Sequence, residues 1–238
     1  MTAQDLIIDL SKYSNKEDAE FLQRFFKTGK GQYGEGDIFI GVRMPACRIV
    51  AKQYIDLPLR ELQKILDSKV HEQRMAALII LTLKYPKATN KQEIYDFYLS
   101  NVYKGNINNW DLIDVTTPHI IGVYLFDKPR DILYDLARSQ DIWQKRVSVL
   151  ATFQFIKDGD ASTSLELAEI LLHDNHDLIQ KAVGWMLREI GKRCDRAVLL
   201  NFLNQHAHEM PRTMLRYSIE HLPLEQKAFY MQNKLLHK

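Results

Sequence analysis

Asp141-Ile-Trp-Gln-Lys-Arg-Val147 is repeated almost unchanged 36 residues later as Asp177-Leu-Ile-Gln-Lys-Ala-Val183. Related blocks follow one another at steps of 35 or 36 residues: Gln73-Arg-Met-Ala-Ala-Leu78, Asn109-Trp-Asp-Leu-Ile-Asp114, Gln144-Lys-Arg-Val-Ser-Val149, Gln180-Lys-Ala-Val-Gly-Trp185 and Arg216-Tyr-Ser-Ile219. Between the blocks, apolar residues recur at helical spacing, and each period has room for two helices. This pattern is typical of a two-helix solenoid of HEAT-like repeats. The sequence therefore predicts an all-α fold, a right-handed superhelix of such repeats.

The composition is that of an ordinary globular protein. The chain has 238 residues, of which 46% are hydrophobic and 26% are charged, so it can bury a sizeable core. With 32 basic and 30 acidic residues, its formal net charge is +2. This near balance excludes a nucleic-acid binder of the basic-tail type, but it allows a basic stripe on one face. We expect a single domain over residues 1–238.

Signals for metal binding, secretion and membrane insertion are missing from the sequence. Cys47 and Cys194 have neither the spacing of a metal site nor that of a disulfide framework, which fits a reducing compartment. The first residues do not resemble a signal peptide, and the longest apolar runs are too short to cross a bilayer. We therefore expect a protein of the bacterial cytosol or nucleoid, without a membrane partner, a metal or a cofactor.

The N-terminal part of the chain carries clear local signals. Residues 3–28 have apolar side chains at helical spacing with a polar break at Ser14-Asn15, which predicts two helices. The glycine-rich stretch 29–36 lacks the spacing of a phosphate-binding P-loop and predicts an ordinary loop. Pro45 is expected in the first turn of the next helix.

The block at 109–114 combines a large aromatic side chain with a carboxylate. Trp110 and Asp114 are four residues apart, so a helix places them on one face, one turn from each other. Asn108 is the expected N-cap of this helix, with Asp111 as its capping-box partner. Pro118 should stop or kink the helix, and Thr116 or Thr117 would cap the helix that restarts there. The structural alternative is a core tryptophan beside a solvated aspartate.

The repeats bring equivalent positions of neighbouring units side by side. Arg146, Trp185 and Arg188 are then expected on the same side of the predicted superhelix as Trp110 and Asp114. Lys145 and Lys181 occupy equivalent positions of two neighbouring repeats. Arginine and lysine bind phosphate, and indole rings offer an electron-rich face to sugars and cations. This predicted surface is therefore suited to bind a polyanion that contains a reactive centre. The alternatives are a solvated face for each basic residue and core packing for Trp185.

Four stretches of the sequence resemble the DNA alkylation repair family of HEAT-like-repeat glycosylases, often called AlkD-like. They are spread in order over nearly the whole chain: Gly36-Asp-Ile-Phe-Ile-Gly-Val-Arg-Met-Pro-Ala-Cys-Arg48, Trp110-Asp-Leu-Ile-Asp114, Trp143-Gln-Lys-Arg146 and Gln180-Lys-Ala-Val-Gly-Trp-Met-Leu-Arg-Glu189. The resemblance implies a catalytic aspartate at Asp114, sugar-facing tryptophans at Trp110 and Trp185, and a phosphate-facing arginine at Arg146. It also implies a groove aromatic at Phe25 or Phe26, where a tyrosine hydroxyl used by some members is missing.

The function implied by this resemblance is that of a monofunctional DNA glycosylase in base excision repair. Such an enzyme would remove positively charged N3- and N7-alkylated purines from duplex DNA. We add Lys145, Lys181 and Arg188 to Arg146 as expected phosphate contacts, and we expect a monomer. The alternative is a non-catalytic HEAT-like module that binds DNA structure or a protein partner. Asp114 separates the two hypotheses, because a carboxylate in a basic groove weakens phosphate binding unless it has a chemical role.

Overall fold

The computed structural model describes residues 1–236, and the fold in this range is all-helical, as predicted. The α-helices of the described range are α1 (Ala3–Ser11), α2 (Lys16–Phe25), α3 (Met44–Gln53), α4 (Leu59–Leu66), α5 (His71–Lys84), α6 (Lys91–Tyr103), α7 (Trp110–Thr117), α8 (Asp131–Ala137), α9 (Ile142–Lys157), α10 (Ser162–Ile170), α11 (Asp177–Arg193), α12 (Arg196–His206), α13 (Arg212–Ser218) and α14 (Leu224–Leu236). Tyr85–Lys87 form a 3₁₀ turn and Pro118–Gly122 a π-helical turn. Strand-type pairing among the described residues is limited to a single parallel bridge between Ile38 and Val70.

The chain divides into two compact units, Met1–Thr116 and Thr117–Lys238. We describe each unit by itself, and a single domain over the whole chain stays a prediction. None of the described helices is long and apolar enough to cross a membrane.

The first unit is built around α5. Helices α3 and α4 pack on α5, and α1 packs on both α3 and α4. The first eleven residues of α5, including four polar ones, are buried. The two helices predicted within residues 3–28 are confirmed, with Asn15 as the N-cap of α2, and Pro45 lies in the first turn of α3.

The second unit shows the repeat directly. Helix α9 packs on α11 and α11 packs on α13, while α8, α10 and α12 pack beside them. The aligned blocks at 144, 180 and 216 lie in α9, α11 and α13, so equivalent segments occupy successive stacked helices. Asp141 caps α9 through the N–H groups of Trp143 and Gln144, and His176 caps α11 through the N–H of Leu178. Local capping thus starts both helices at nearly the same repeat position, since His176 directly precedes Asp177, the residue aligned with Asp141.

The caps predicted at the two ends of α7 differ from those in the structure. Asn108 does not cap the helix, because its Oδ1 accepts a hydrogen bond from Arg74 Nη2 at 2.8 Å. The next residue, Asn109, accepts from the N–H of Trp110 at 2.9 Å instead. The α-helix ends at Thr117, directly before Pro118, where the sequence predicts its end, but Thr117 has α-helical backbone angles without a capping bond, and the chain continues as the π-helical turn. Proline has no N–H to donate, so the α-helical hydrogen-bond ladder is interrupted at Pro118, and the wider turn begins there.

Candidate functional site

Helix α7 presents Trp110 and Asp114 as a half-buried pair, one turn apart. Leu112 on the opposite side of the helix and Ile113 on its flank anchor it, and both are 0% exposed. The spacing predicted from the sequence therefore holds in the first unit. Neither side chain is a fully buried core residue, and neither is fully exposed to solvent.

An aromatic stack supports the indole of Trp110. The ring of Phe26 lies 5.2 Å from it at an interplanar angle of 15°, and the ring of Phe39 stacks on that of Phe26 at 4.8 Å. Phe25 contacts the indole edge-on at 6.0 Å. Phe26 is 6% exposed and Phe25 is 52% exposed. Both phenylalanines singled out from the sequence are thus brought to Trp110, but only Phe25 offers an open ring face.

A buried polar network lies next to this stack. His71 Nδ1 is 3.0 Å from Asp37 Oδ2, and His71 Nε2 is 2.9 Å from Asp111 Oδ2. Arg74 Nη2 donates to Asp37 Oδ1 at 2.7 Å. Asp37, His71 and Arg74 are all buried, and Asn109 Nδ2 donates to Asp37 Oδ2 at 3.3 Å. The network connects the start of α5 to the start of α7.

The protonation states follow from this pairing. Burial by itself lowers the pKa of His71, but the charge and hydrogen bond of Asp111 and the hydrogen bond to Asp37 outweigh it and raise the pKa to about 9. Burial by itself raises the pKa of Asp37, but His71 and Arg74 outweigh it, and the net shift is downward. His71 is therefore an imidazolium at neutral pH, since only that form donates from both ring nitrogens.

A cavity of about 280 Å³ adjoins the network in the first unit. Its lining is mostly apolar: Phe26, Phe39, Met44 and Met75 contribute side chains, and Asp111 adds a carboxylate. Cys47 also lines it and is fully buried, and burial raises the pKa of its thiol to about 12. Its thiol donates to the backbone carbonyl of Glu72, so Cys47 is a protonated structural residue at neutral pH.

In the second unit, Arg146 is mostly buried rather than displayed on a surface. It is 5% exposed, and its Nη1 donates to the backbone carbonyl of Leu178 at 2.6 Å. This bond joins α9 to the first turn of α11, so the arginine connects one repeat to the next. The sequence predicted a phosphate contact at Arg146, and its interior position gives it a structural role as well.

The other predicted phosphate contacts are paired with acidic side chains. Lys145 Nζ lies 2.6 Å from Asp174, and Lys181 Nζ lies 2.6 Å from Asp177. Arg188 pairs with Glu220 and with Glu189. The Lys181–Asp177 pair is the most exposed of these, with side-chain exposures of 37% and 56%. Phosphate has to compete with a carboxylate at each of these cations.

Trp185 is half-buried and belongs to a second polar cluster. Its indole N–H donates to Glu189 Oε1 at 3.2 Å, and its ring lies 5.9 Å from that of Phe153. Glu189 also accepts from Arg193 Nε at 2.7 Å. Burial by itself raises the pKa of Glu189, but the hydrogen bonds from Arg193 and Arg188 outweigh it and lower the pKa. Trp185 is therefore oriented by an ionised carboxylate on its own helix.

A family model described as DNA alkylation repair enzyme matches residues 6–222. The chain belongs to this family. Family membership indicates a role in DNA alkylation repair, with DNA as the substrate class. Among solved structures, the chain is similar to a predicted DNA alkylation repair enzyme from Enterococcus faecalis, with a TM-score of 0.70 and 15% identity over 89% of this chain and 97% of that one. At this identity the likeness shows the fold alone. Among curated proteins, none matches the sequence.

The polar network beside α7 is the part of this family member that sequence reasoning missed. Local rules predict a capping role for Asp111 and no role for Asp37 or His71. A signal was present, because His71 and Arg74 are three residues apart at a helix start and therefore lie on one face. Their partners are 34 to 40 residues away in sequence, and no local pattern identifies such partners.

Proposed function

We propose that this protein is a monofunctional DNA glycosylase that hydrolyses the N-glycosidic bond of cationic N3- or N7-alkylated purines in duplex DNA. The observation that carries the proposal is the half-buried pair of Asp114 and Trp110 on one face of α7, backed by the Phe26 stack. Family membership supplies the substrate class. No cofactor or metal enters the proposed reaction.

The proposed chemistry needs few protein groups. A purine alkylated at N3 or N7 carries a positive charge, so it leaves as a neutral base without a general acid. The sugar then passes through an oxocarbenium-like state, as in other glycoside cleavage. Asp114 would stabilise this developing charge and orient the attacking water. A partly desolvated carboxylate does this more strongly than a fully hydrated one, because the local dielectric constant is lower.

The aromatic and basic residues would position the nucleotide. The faces of Trp110 and Trp185 add cation–π attraction to the sugar as it becomes positive. Phe25, whose ring is open to solvent beside Trp110, would extend this surface. Lys181, Lys145, Arg188 and Arg146 would contact phosphates and fix the sugar relative to the carboxylate. We propose that a monomer performs the whole reaction.

Asp114→Asn tests the proposal most directly. The substitution keeps the shape of the side chain and removes its charge. We expect single-turnover release of 7-methylguanine from a duplex to slow by about 100- to 1000-fold, by analogy with the loss of one electrostatic stabiliser. Binding to an uncleavable duplex should be unchanged or slightly tighter, since a negative charge leaves a site that meets phosphate.

Asp135→Asn is the matched control, because Asp135 is an exposed carboxylate on α8. It should excise at the wild-type rate. An Asp114→Asn variant that excises as fast as the wild type would remove Asp114 from the mechanism. A wild-type protein that binds DNA but releases no cationic base would instead support the non-catalytic module.

A further inference from the structure

The proposed reaction leaves one buried group of titratable residues without a role. Asp37, His71, Arg74 and Asp111 form a continuous set of charge-assisted hydrogen bonds in the first unit, and the side chains of the first three are at most 5% exposed. A buried network of this kind is costly to desolvate. Its hydrogen bonds converge on the segment from which α7 starts.

Three contacts hold this segment. Arg74 donates to Asn108 at 2.8 Å, Asp37 accepts from Asn109 at 3.3 Å, and His71 lies 2.9 Å from Asp111. Trp110 lies in the chain between Asn109 and Asp111, which make two of these contacts. Asp114 follows Asp111 by three residues, so both share one side of the helix. These contacts fix the first turn of α7, while the buried side chains of Leu112 and Ile113 anchor the helix against the rest of the first unit.

The imidazole of His71 also belongs to the aromatic stack. It lies 4.5 Å from the ring of Phe39 and 5.0 Å from that of Phe26. Phe26 in turn stacks on Trp110. His71 is thus connected to the indole of Trp110 in two ways. It contacts Asp111, which follows Trp110 in the chain, and it contacts Phe26, which stacks on the indole.

We infer that His71 is a positioning residue, which holds Asp111 and thereby sets the orientation of α7 and of the Trp110 and Asp114 side chains. The roles of Trp110 and Asp114 rest on the proposed function, but the hold on α7 does not. His71 does not act on the substrate itself. It acts by keeping the indole of Trp110 and the carboxylate of Asp114 in their orientations.

The charge balance around His71 explains why a protonated histidine suits this place. Asp111 faces it from α7, Asp37 from the loop before α3, and Arg74 and Glu72 from α5. The thiol of Cys47 on α3 is neutral at physiological pH. Glu72 is held separately, because its carboxylate accepts the backbone N–H groups of Ile40, Gly41 and Val42. Deprotonation of His71 would leave one of its two carboxylate contacts without a donor.

Two substitutions separate the two hydrogen bonds of His71. Glutamine can place its amide nitrogen near the position of Nε2 and retain the contact to Asp111. Asparagine places its amide nitrogen near the position of Nδ1 and retains only the contact to Asp37. If the Asp111 contact sets α7, His71→Gln should excise within about threefold of the wild type. His71→Asn should slow single-turnover excision by roughly 10- to 100-fold, the scale of a misplacement of about 1 Å, with DNA affinity unchanged.

Asp160→Asn is the control for a general loss of stability, because it weakens the Arg130–Asp160 ion pair in the second unit. It should leave the excision rate unchanged. Equal excision rates for both His71 variants, whether at the wild-type level or reduced alike, would overturn the inference. So would a His71→Asn variant that loses DNA affinity in proportion to its rate.

A spectroscopic test covers the case in which the His71 variants fail to fold or the wild type excises nothing. The indole N–H peak of Trp110 in a ¹H–¹⁵N spectrum is assigned with Trp110→Phe, and the Trp143 peak serves as the internal reference. We expect the Trp110 peak of the wild type to shift with a midpoint near pH 9 as His71 deprotonates. A Trp110 peak that stays in place while the ring proton signals of His71 titrate would overturn the inference, whether or not the proposed function holds.

Discussion

At the residue scale, the cations expected to bind phosphate already have protein partners. Lys145, Lys181 and Arg188 each pair with a carboxylate, and Arg146 donates to a backbone carbonyl. An exposed ion pair contributes only about 0–1 kcal/mol, so it exchanges readily for a phosphate. The Lys181–Asp177 pair is the most exposed of the set. Lys181 is therefore the first of these residues that we expect to engage DNA.

Asp177→Asn should tighten binding to duplex DNA. The substitution releases Lys181 from its partner and removes a negative charge, so the Kd at low salt should fall by up to about fivefold, the equivalent of one exposed ion pair. Lys181→Ala should weaken binding and lower the slope of log Kd against log salt by about 0.9. Fluorescence anisotropy on a short duplex measures both quantities.

The double variant supplies the control for this coupling. In the Lys181→Ala background, Asp177→Asn should change the Kd much less than it does in the wild type, because its effect acts through the lysine. An equal gain in both backgrounds would mean that Asp177 repels DNA directly.

At the scale of elements, close approach of helices in the second unit depends on glycine. A Cβ atom added at Gly184 on α11 would lie 2.5 Å from the backbone oxygen of Met214 on α13 and 2.6 Å from Cβ of Tyr217. Neither neighbour is the end of a flexible side chain. The α11–α13 packing therefore requires a residue without a side chain at this position.

Gly184→Ala should destabilise the protein by about 1–3 kcal/mol, the usual cost of overpacking. Chemical denaturation measures the free energy of unfolding. Gly191→Ala on the same helix is the comparison, because the atom nearest to its added Cβ would be the terminal Cδ2 methyl of Leu199, at 2.5 Å, rather than a backbone atom. A loss at Gly184 no larger than that at Gly191 would contradict the packing argument.

At the scale of the whole molecule, the buried network links stability to pH. The pKa of His71 is raised from its ordinary 6.5 to about 9 in the folded protein. Its contribution to stability is thus fully present below about pH 6.5 and is lost as the pH rises through 9. The pKa of Asp37 is lowered from 3.8, so its contribution is present above that value and is lost in acid.

The free energy of unfolding should therefore decline between pH 7 and pH 10. Urea titrations at several pH values measure it. The decline should be smaller in His71→Asn, which has no imidazole to deprotonate, although this variant is less stable at pH 7. A decline of the same size in the variant would assign the effect to other groups, such as Cys47, whose pKa is raised by burial.

The sequence by itself determined the helical class, the repeat register and the family-defining stretches. The repeated blocks and the helical spacing can be recognised from the order of residues in the chain. They correctly predicted α1 and α2, the place of Pro45 in the first turn of α3, and the position of Trp110 and Asp114 on one face of α7. Capping was less well determined. Asn108 and Asn109 are equally suitable for a cap by local rules, but Arg74 donates to the side chain of Asn108, and the side chain of Asn109 accepts from the N–H of the adjacent Trp110.

Only the tertiary structure decided what each charged side chain meets. Arg146 looks like a groove residue in the sequence, yet stacking of α11 on α9 encloses it and gives it the carbonyl of Leu178. His71 looks like an ordinary helix residue, yet folding places it between Asp37 and Asp111, 34 and 40 residues away. Helix formation is governed by contacts within four residues. Burial and ion pairing are governed by contacts between repeats, and these exist only once the helices have packed.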